Sequence, residues 1–377
     1  MGQRRDKGTG MIRRRADGRW EGRLDLGFLD GKRVRRSVYG ATEREVRTKL
    51  RELAREVERG GQPAPERLTV GDYLGHWLET VARPRVRPRT YESYETTIRV
   101  HLLPALGRIR LSRLRATDVE RLLAAKVASG LSPRTVDYCL TVLRMALAHA
   151  ERTGLVPRNV AALVEGPRVP RAEARPLTPE ELARFLATIA GHRDEALYLT
   201  ALGTGLRQGE LLGLRWSDLD LDRGRLTVRL QAQRIGGALV LVEPKTERSR
   251  RTVVLPPVVV EALRRHRRQQ AAERLQATRW HDLGLVFCGT EGRPRDGRAL
   301  TKQFQRLLAR AGIPRRPFHQ LRHSVATFLL AAGVDLKVIA ELLGHTQIST
   351  TADVYASVLP AALEGVAETL DRLLRAR

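Results

Sequence analysis

The sequence is poor in cysteine, aromatic residues and acidic residues, and it has no long apolar run. Its 377 residues include only two cysteines, Cys139 and Cys288, which lie far apart and fit a reducing compartment better than a disulfide framework. No stretch of about 18 apolar residues is present to span a bilayer. No apolar stretch follows the basic N-terminus, as it would in a secretory signal. We therefore expect a cytoplasmic protein without a membrane partner.

The shortage of acidic residues leaves a large positive charge. There are 68 lysines and arginines against 42 acidic residues, which gives a formal net charge of +26, and few of the basic residues are lysine. A coding bias accounts for arginine over lysine, but it does not account for the deficit of acids. Because neutralising phosphates releases counterions and drives binding, the surplus indicates nucleic acid as the partner, and hence association with the nucleoid.

Turn and capping signals predict a small sheet domain in residues 1–61. Asp17-Gly18 and Asp30-Gly31 are hairpin signals, and the capping box that begins at Thr42 starts a helix. We expect three strands backed by one helix, an arm-type DNA-binding domain. Because the strands carry many arginines, one sheet face could enter a DNA groove; a solvated basic face is the alternative.

Residues 67–166 are predicted to be all helix. Helix starts at Thr69, Thr117 and Ser132 alternate with glycine stops, as in a helical domain whose surface could contact a major groove. Residues 167–176 contain three prolines and no apolar period, so they read as an extended linker.

Residues 177–377 form the last predicted domain, which is mixed but mostly helical. It opens with a capped helix start at Thr178-Pro179, and its helices surround strands at 225–230, 238–242 and 251–255. The whole chain is thus predicted to be mainly α with small β elements.

This last domain concentrates side chains that suit a phosphodiester. His319 and Arg322 precede His345 and Tyr355 in fixed order within 37 residues. A guanidinium offers a planar fork to two phosphate oxygens, and an imidazole moves protons near neutral pH. The phenol adds a nucleophile that could hold the phosphate covalently. Without Tyr355, the group would indicate only a phosphate-binding patch.

Two other interpretations of local motifs fail. The glycines from Gly203 to Gly209 imitate a dinucleotide fingerprint, but the last is one position late and residues 196–202 read as helix rather than strand. His319 and His323 are spaced like zinc ligands, but Arg322 beside them would repel a cation. We expect neither a bound metal nor an organic cofactor.

Five motifs together resemble the tyrosine recombinases, specifically the phage-type integrases. They are Gly205-Leu206-Arg207-Gln208-Gly209-Glu210-Leu211, Pro244-Lys245-Thr246, His319-Gln320-Leu321-Arg322-His323, Leu343-Gly344-His345 and Tyr355. The similarity spans residues 178–360, and the order and spacing of six catalytic-type residues agree. Residues 67–166 look like the family's helical, SAM-like core-DNA-binding domain, and residues 1–61 look like its arm-binding domain.

The resemblance implies a role for each residue. Tyr355 would attack the scissile phosphate to form a 3′-phosphotyrosyl link, and Arg207 with Arg322 would clamp the non-bridging oxygens. His319 would be the general base or proton relay, and Lys245, on a strand-pair turn, would protonate the leaving 5′-oxygen. His345 would donate a hydrogen bond to the phosphate, and Glu210 would orient Arg207.

The implied function is site-specific DNA recombination that integrates or excises a mobile element. The implied partners are double-stranded DNA at core and arm sites, a homotetramer on that DNA, and an excisionase or DNA-bending accessory protein. Two alternatives stay open: relaxation of DNA like a type IB topoisomerase, and a non-catalytic DNA-binding regulator of recombinase ancestry. The chain departs from many relatives at Ser357 and Gln320, where they carry histidine and aspartate.

The residues after Tyr355 carry an amphipathic stripe. Leu363, Val366, Leu370 and Leu373 fall on one helical face. In the family, such a helix would dock on a neighbouring protomer; packing within its own domain is the alternative.

Overall fold

The computed structural model describes residues 11–29, 32–58, 67–170, 175–244 and 250–344. The chain divides into two compact units, Met1–Arg171 and Ala172–Arg377. Several predicted features lie outside the described residues: the turn at Asp30-Gly31, three of the six site residues (Lys245, His345 and Tyr355), and the stripe at 363–373.

The first unit begins with an antiparallel sheet of three strands in sequence order. These are β1 (Met11–Arg14), β2 (Trp20–Leu29) and β3 (Lys32–Gly40), followed by the helix α1 (Glu43–Glu58). Buried Leu24 of β2 packs with Val46 and Leu50 of α1. Gly22 allows this close approach, because a Cβ there would overlap the side chains of Val46 and Leu50. The predicted three-stranded sheet backed by one helix is confirmed.

The sheet face opposite α1 is organised around one acidic residue. Glu21 is 3% exposed and accepts from Arg13 at 2.7 Å and Arg23 at 3.0 Å, with Ser37 as a third donor. Burial disfavours the charged carboxylate, but these donors hold the pKa of Glu21 below its usual value, with the hydrogen bond from Arg13 the largest effect. One buried carboxylate therefore fixes two arginines on this face.

Residues 67–166 are mostly helical, as predicted. The elements are α2 (Val70–His76), a π-helical segment (Trp77–Ala82), α3 (Pro88–Thr97), a second π-helical segment (Ile98–Leu102), α4 (Leu103–Leu106), α5 (Ala116–Ala128) and α6 (Pro133–Arg152). Thr69 and Asp72 form the reciprocal capping box of α2, and Ser132 caps α6 ahead of Pro133. Around buried Tyr73, the helices share one apolar core.

The second unit surrounds two small sheets with helices. Its helices are α7 (Pro179–Ile189), α8 (Glu195–Thr204), α9 (Gln208–Leu212), α10 (Pro257–Gln276), α11 (Gly297–Arg310), α12 (Gln320–Ala331) and α13 (Leu336–Leu343). Its strands are β4 (Leu219–Asp220), β5 (Arg225–Thr227), β6 (Gln231–Ile235), β7 (Ala238–Val242) and β8 (Thr252–Val254), in the orders β4-β5-β8 and β6-β7. The strand predicted at 225–230 is shorter, because β5 pairs with β8 whereas β6 turns back onto β7.

An aromatic cluster holds the helices of this unit together. Phe185, Tyr198, Phe304 and Phe318 are buried, with ring centroids 5.4–6.3 Å apart. Offset and edge-to-face pairs of this kind contribute about 0.5–1.5 kcal/mol each beyond their buried area. The cluster joins α7, α8 and α11 to the turn before α12, and so fixes the base from which the site residues project.

Residues 195–204 are helical before Gly205, so the strand that a dinucleotide fingerprint requires is absent from this described region.

Of the helices within the described ranges, none combines the length and apolar character needed to cross a membrane.

Candidate active site

Arg207 is placed by the short connection between two helices. The helix α8 ends at Gly205, which is left-handed (φ 62°), and Arg207 is extended (φ −67°, ψ 148°) ahead of α9. Its backbone N–H donates to Oε2 of Glu210 at 3.0 Å, and its Nη1 donates to Oε1 of the same residue at 2.8 Å. The side chain of Arg207 is 37% exposed. Its guanidinium is thus held at one edge and open at another.

Glu210 is a buried carboxylate between two arginines. It is 3% exposed and also accepts from Nη2 of Arg251 at 3.1 Å. Burial opposes its ionisation, but the charges and hydrogen bonds of Arg251 and Arg207 outweigh that effect and lower the pKa of Glu210. Glu210 is therefore ionised and positions both guanidinium groups. Sequence reasoning missed Arg251, since it lies 41 residues from Glu210 and no local spacing connects them.

Three consecutive carbonyl groups at the end of α13 accept hydrogen bonds from three arginines. Nε of Arg251 donates to Leu342 at 2.6 Å, Nη2 of Arg322 to Leu343 at 2.5 Å, and Nη2 of Arg207 to Gly344 at 3.1 Å. The last carbonyls of a helix lack intrahelical partners and carry a partial negative charge, so cations are favourable there. The end of α13 thereby collects the guanidinium groups into one cluster.

Arg322 is the most deeply buried member of this arginine cluster, which comprises Arg207, Arg251 and Arg322. It is 3% exposed, and its Nη1 donates to the carbonyl of Gly205 at 2.7 Å. Burial and then repulsion from Arg207 and Arg251 lower its pKa to about 9, so it is still charged at neutral pH. Among the described residues of the cluster, three guanidinium groups against the one carboxylate of Glu210 leave a local excess of positive charge, which suits an oxyanion.

His319 lies just before α12, beside the arginine cluster. Its ring meets that of His323 edge to face at 4.9 Å. Partial burial of the ring, followed by the charges of His323, Arg322 and Arg207, lowers the pKa of His319 to about 4. The residue still reaches the surface. A neutral imidazole at the edge of a cationic site can accept a proton from an incoming group.

Three of the six predicted site residues lie within the described chain. The structure places Arg207 and Arg322 on adjacent carbonyls of one helix end, and the charges of both act on His319. The other three predicted residues are outside the described residues: Lys245, His345 and Tyr355. Two of these follow described residues directly along the chain, since Pro244 precedes Lys245 and Gly344 precedes His345.

Comparison with known protein families gives two matches. Residues 175–361 match the phage integrase family, and residues 69–126 match the phage integrase N-terminal SAM-like domain.

Individual relatives extend this similarity over most of the chain. A tyrosine recombinase XerC-like protein of Caldanaerobacter subterraneus subsp. tengcongensis is 32% identical over 364 residues, covering 91% of this chain and 93% of the relative. An integrase of Streptomyces ambofaciens is 33% identical over 391 residues, covering 100% of this chain and 99% of the relative.

Solved structures share the fold. The Tn1549 transposon integrase, in complex with a circular intermediate DNA, has a TM-score of 0.68 at 24% identity and covers 79% of this chain and 99% of that one. A lambda integrase dimer bound to a core site has a TM-score of 0.59 at 17% identity, and the match covers 94% of this chain and 96% of that one. The expected fold class, mainly helical with small sheets, is confirmed.

Proposed function

Because the chain belongs to the phage integrase family of tyrosine recombinases and is thus a site-specific DNA recombinase, we propose that Arg207 and Arg322 hold the scissile phosphate. The observation that carries this assignment is the convergence of Arg207 and Arg322 at the end of α13, beside His319. Tyr355 is the proposed nucleophile, which joins the 3′-phosphate and releases a 5′-hydroxyl.

The two arginines act on the charge that develops at phosphorus. In the pentacoordinate state, negative charge builds on the non-bridging oxygens, and fixed cations in a partly dry site stabilise it more than water would. Arg322 is buried and rigidly held, whereas Arg207 is partly exposed, so the cluster combines a fixed donor with an accessible one. Removing either guanidinium should cost more in the chemical step than in DNA affinity.

The remaining residues move protons. A free phenol has a pKa near 10, so Tyr355 needs a base or relay to become a nucleophile at neutral pH. The low pKa of His319 keeps its ring neutral and able to accept a proton there. Lys245 protonates the leaving 5′-oxygen, and His345 donates to the phosphate. The bond energy is kept in the phosphotyrosine, so the proposed reaction uses neither ATP nor a metal ion.

The proposed domain roles follow the chemistry of the segments. Residues 1–61 bind arm DNA, and residues 67–166 bind the core site. Residues 177–377 carry out the reaction, and residues 167–176 link them to the core-binding domain. The open face of the first sheet supports arm binding, because Glu21 fixes Arg13 and Arg23 there.

The proposed assembly is a homotetramer on double-stranded DNA that integrates or excises a mobile element, with an excisionase or DNA-bending protein setting direction. Support comes from relatives alone: one solved structure is a lambda integrase tetramer bound to a Holliday junction, and another is a transposon integrase on its DNA. A nucleoid location in the cytoplasm follows from the same proposal.

A two-site assay tests this function against DNA relaxation. The substrate is a supercoiled plasmid that carries two copies of the recombination site found at the junctions of the mobile element; a matched plasmid carries one copy. The proposal expects excision of the intervening DNA from the first plasmid and no recombinant product from the second. Relaxation of both plasmids without exchange would instead identify a topoisomerase activity, and binding without cleavage would identify a regulator.

A further inference from the structure

Arg251 is a buried arginine that the catalytic assignment leaves unused. It lies directly before β8, and its side chain is 8% exposed. Its guanidinium connects two parts of the site: Nη2 and Nη1 approach the two oxygens of Glu210 at 3.1 and 3.5 Å, and Nε donates to the carbonyl of Leu342 at 2.6 Å. Burying a charged side chain costs the free energy of its hydration, so a guanidinium kept in this position indicates a role.

We propose that Arg251 is a positioning residue for DNA cleavage, which aims Arg207 at the phosphate and fixes the end of α13 ahead of His345. The inference rests on the proposed function, because it concerns the same phosphate site.

Arg251 balances part of the charge on Glu210. That buried carboxylate faces two guanidinium groups, Arg207 at 2.8 Å and Arg251 at 3.1 Å. With Arg251 present, the negative charge of Glu210 is shared between two guanidinium groups. Without Arg251, Arg207 would be the one arginine left on Glu210 in the part of the chain that the structure describes, and the carboxylate would draw it inward and offset its charge. Arg251 therefore leaves the positive charge of Arg207 available to a phosphate.

Arg251 also holds the end of α13. Three consecutive carbonyl groups there each accept a hydrogen bond from one arginine of the cluster. Arg251 donates to the first of them, that of Leu342. Gly344 is left-handed (φ 65°), and the residue that follows it is His345. Loss of the bond to Leu342 would loosen the end of α13, whose next two carbonyls hold Arg322 and Arg207. A misplacement of about 1 Å in such a site can cost on the order of 100-fold in rate.

The test is single-turnover cleavage of a nicked suicide duplex that carries the core site, at saturating protein. We expect Arg251→Met to lower the rate constant for the covalent adduct by about 10- to 100-fold, while the dissociation constant for the duplex changes less than about threefold. Arg251→Lys should be intermediate, since an ammonium can neutralise Glu210 but lacks the fork that also reaches Leu342. The double variant with Glu210→Gln should lose about as much as Arg251→Met alone, because the two residues act as a unit.

Arg295→Met is the matched control. Arg295 is another largely buried arginine on a buried carboxylate; its side chain is 15% exposed, and its Nη1 lies 2.6 Å from Asp194 at the far end of α8. A purely structural loss lowers the thermal midpoint and the fraction of protein that reacts, and leaves the rate constant of that fraction unchanged. We expect this pattern for Arg295→Met only. An Arg251→Met protein that cleaves within twofold of the wild-type rate constant overturns the inference. Absence of adduct from the wild-type protein would instead refute the proposed function.

Discussion

At the scale of single residues, the site depends on charges that the surrounding protein has already arranged. Arg322 keeps its charge despite being 3% exposed, because backbone carbonyls of Gly205 and Leu343 accept from it. His319, in contrast, loses its charge mainly because its ring is partly buried, and the charges of His323, Arg322 and Arg207 lower its pKa further. Burial therefore leaves a hydrogen-bonded cation at Arg322 and a neutral base at His319.

The first prediction concerns the pH dependence of cleavage. A lowered pKa extends the neutral form of His319 to more acidic pH, so the free protein should retain a competent base down to about pH 5. The rate of cleavage at subsaturating DNA reports on the free protein. Titration of His319 should not change this rate between pH 6 and pH 8 and should lower it only as the pH approaches 4. An acidic limb with a midpoint near 6.5 that disappears in His319→Gln would contradict this account.

At the scale of elements, the ends of two helices build the site. Left-handed Gly205 caps the C-terminal end of α8, and its carbonyl accepts a hydrogen bond from Arg322. A Cβ at this position would overlap the side chain of Leu343 in α13. A side chain at position 205 would therefore meet both backbone strain and a steric overlap. Glycine is required at this junction for conformation and for space.

The second prediction follows from this junction. Gly205→Ala combines left-handed strain of about 1–2 kcal/mol with overlap against Leu343, for which overpacking costs about 1–3 kcal/mol. Gly191→Ala is the matched control, because Gly191 is also left-handed (φ 73°) but has open space where the Cβ would lie. Thermal unfolding should show the larger loss of midpoint for Gly205→Ala, and only that variant should cleave more slowly. Equal losses in both assays would remove the proposed role of the junction.

Local chemistry explains which elements the sequence could predict. The helix starts at Thr69 and Thr178 were predictable, since a capping box needs only residues three apart. The start predicted at Thr117 is displaced: α5 begins at Ala116, because the carboxylate of Asp118 accepts from the backbone of Arg115. The π-helical segments Trp77–Ala82 and Ile98–Leu102 were not predicted, since no simple periodicity marks them.

The candidate site shows the same division. Arg207, His319 and Arg322 were found from motifs that are short and contiguous in the chain. Arg251 was missed because its role depends on β8 being brought against α9 and α13 by the fold. Contacts between distant segments arise from tertiary packing, which a single sequence does not display.

At the scale of the whole molecule, the net charge of +26 has structural counterparts in the first sheet, in the helical segment after it and in the second unit. The first sheet presents Arg13 and Arg23 on one face, and the turn before α3 exposes Arg85. The second unit gathers its arginines around the end of α13. Since phosphate contacts fix a protein on DNA, these arginines are suited to DNA binding in each of the three places.

The third prediction concerns the segment after Tyr355. The stripe of Leu363, Val366, Leu370 and Leu373 is outside the described residues, so its proposed docking on a neighbouring protomer remains a prediction from the sequence. Truncation after Pro360 should leave binding to one core site intact but reduce assembly of synaptic complexes, as measured by gel shift with one and two sites. Replacing the charged face of the same segment is the control. Unchanged tetramer assembly by the truncated protein would refute the exchange of this segment between protomers.

The central claim is that Tyr355 forms a covalent bond with DNA, and trapping measures it most directly. The protein is incubated with a nicked suicide duplex, from which the short 5′-hydroxyl strand diffuses away after cleavage and prevents religation. Adducts are then separated in SDS. The account predicts an SDS-stable protein–DNA adduct with the wild-type protein and none with Tyr355→Phe, which keeps the ring and removes the nucleophilic oxygen. An equal yield of adduct from both proteins would contradict it.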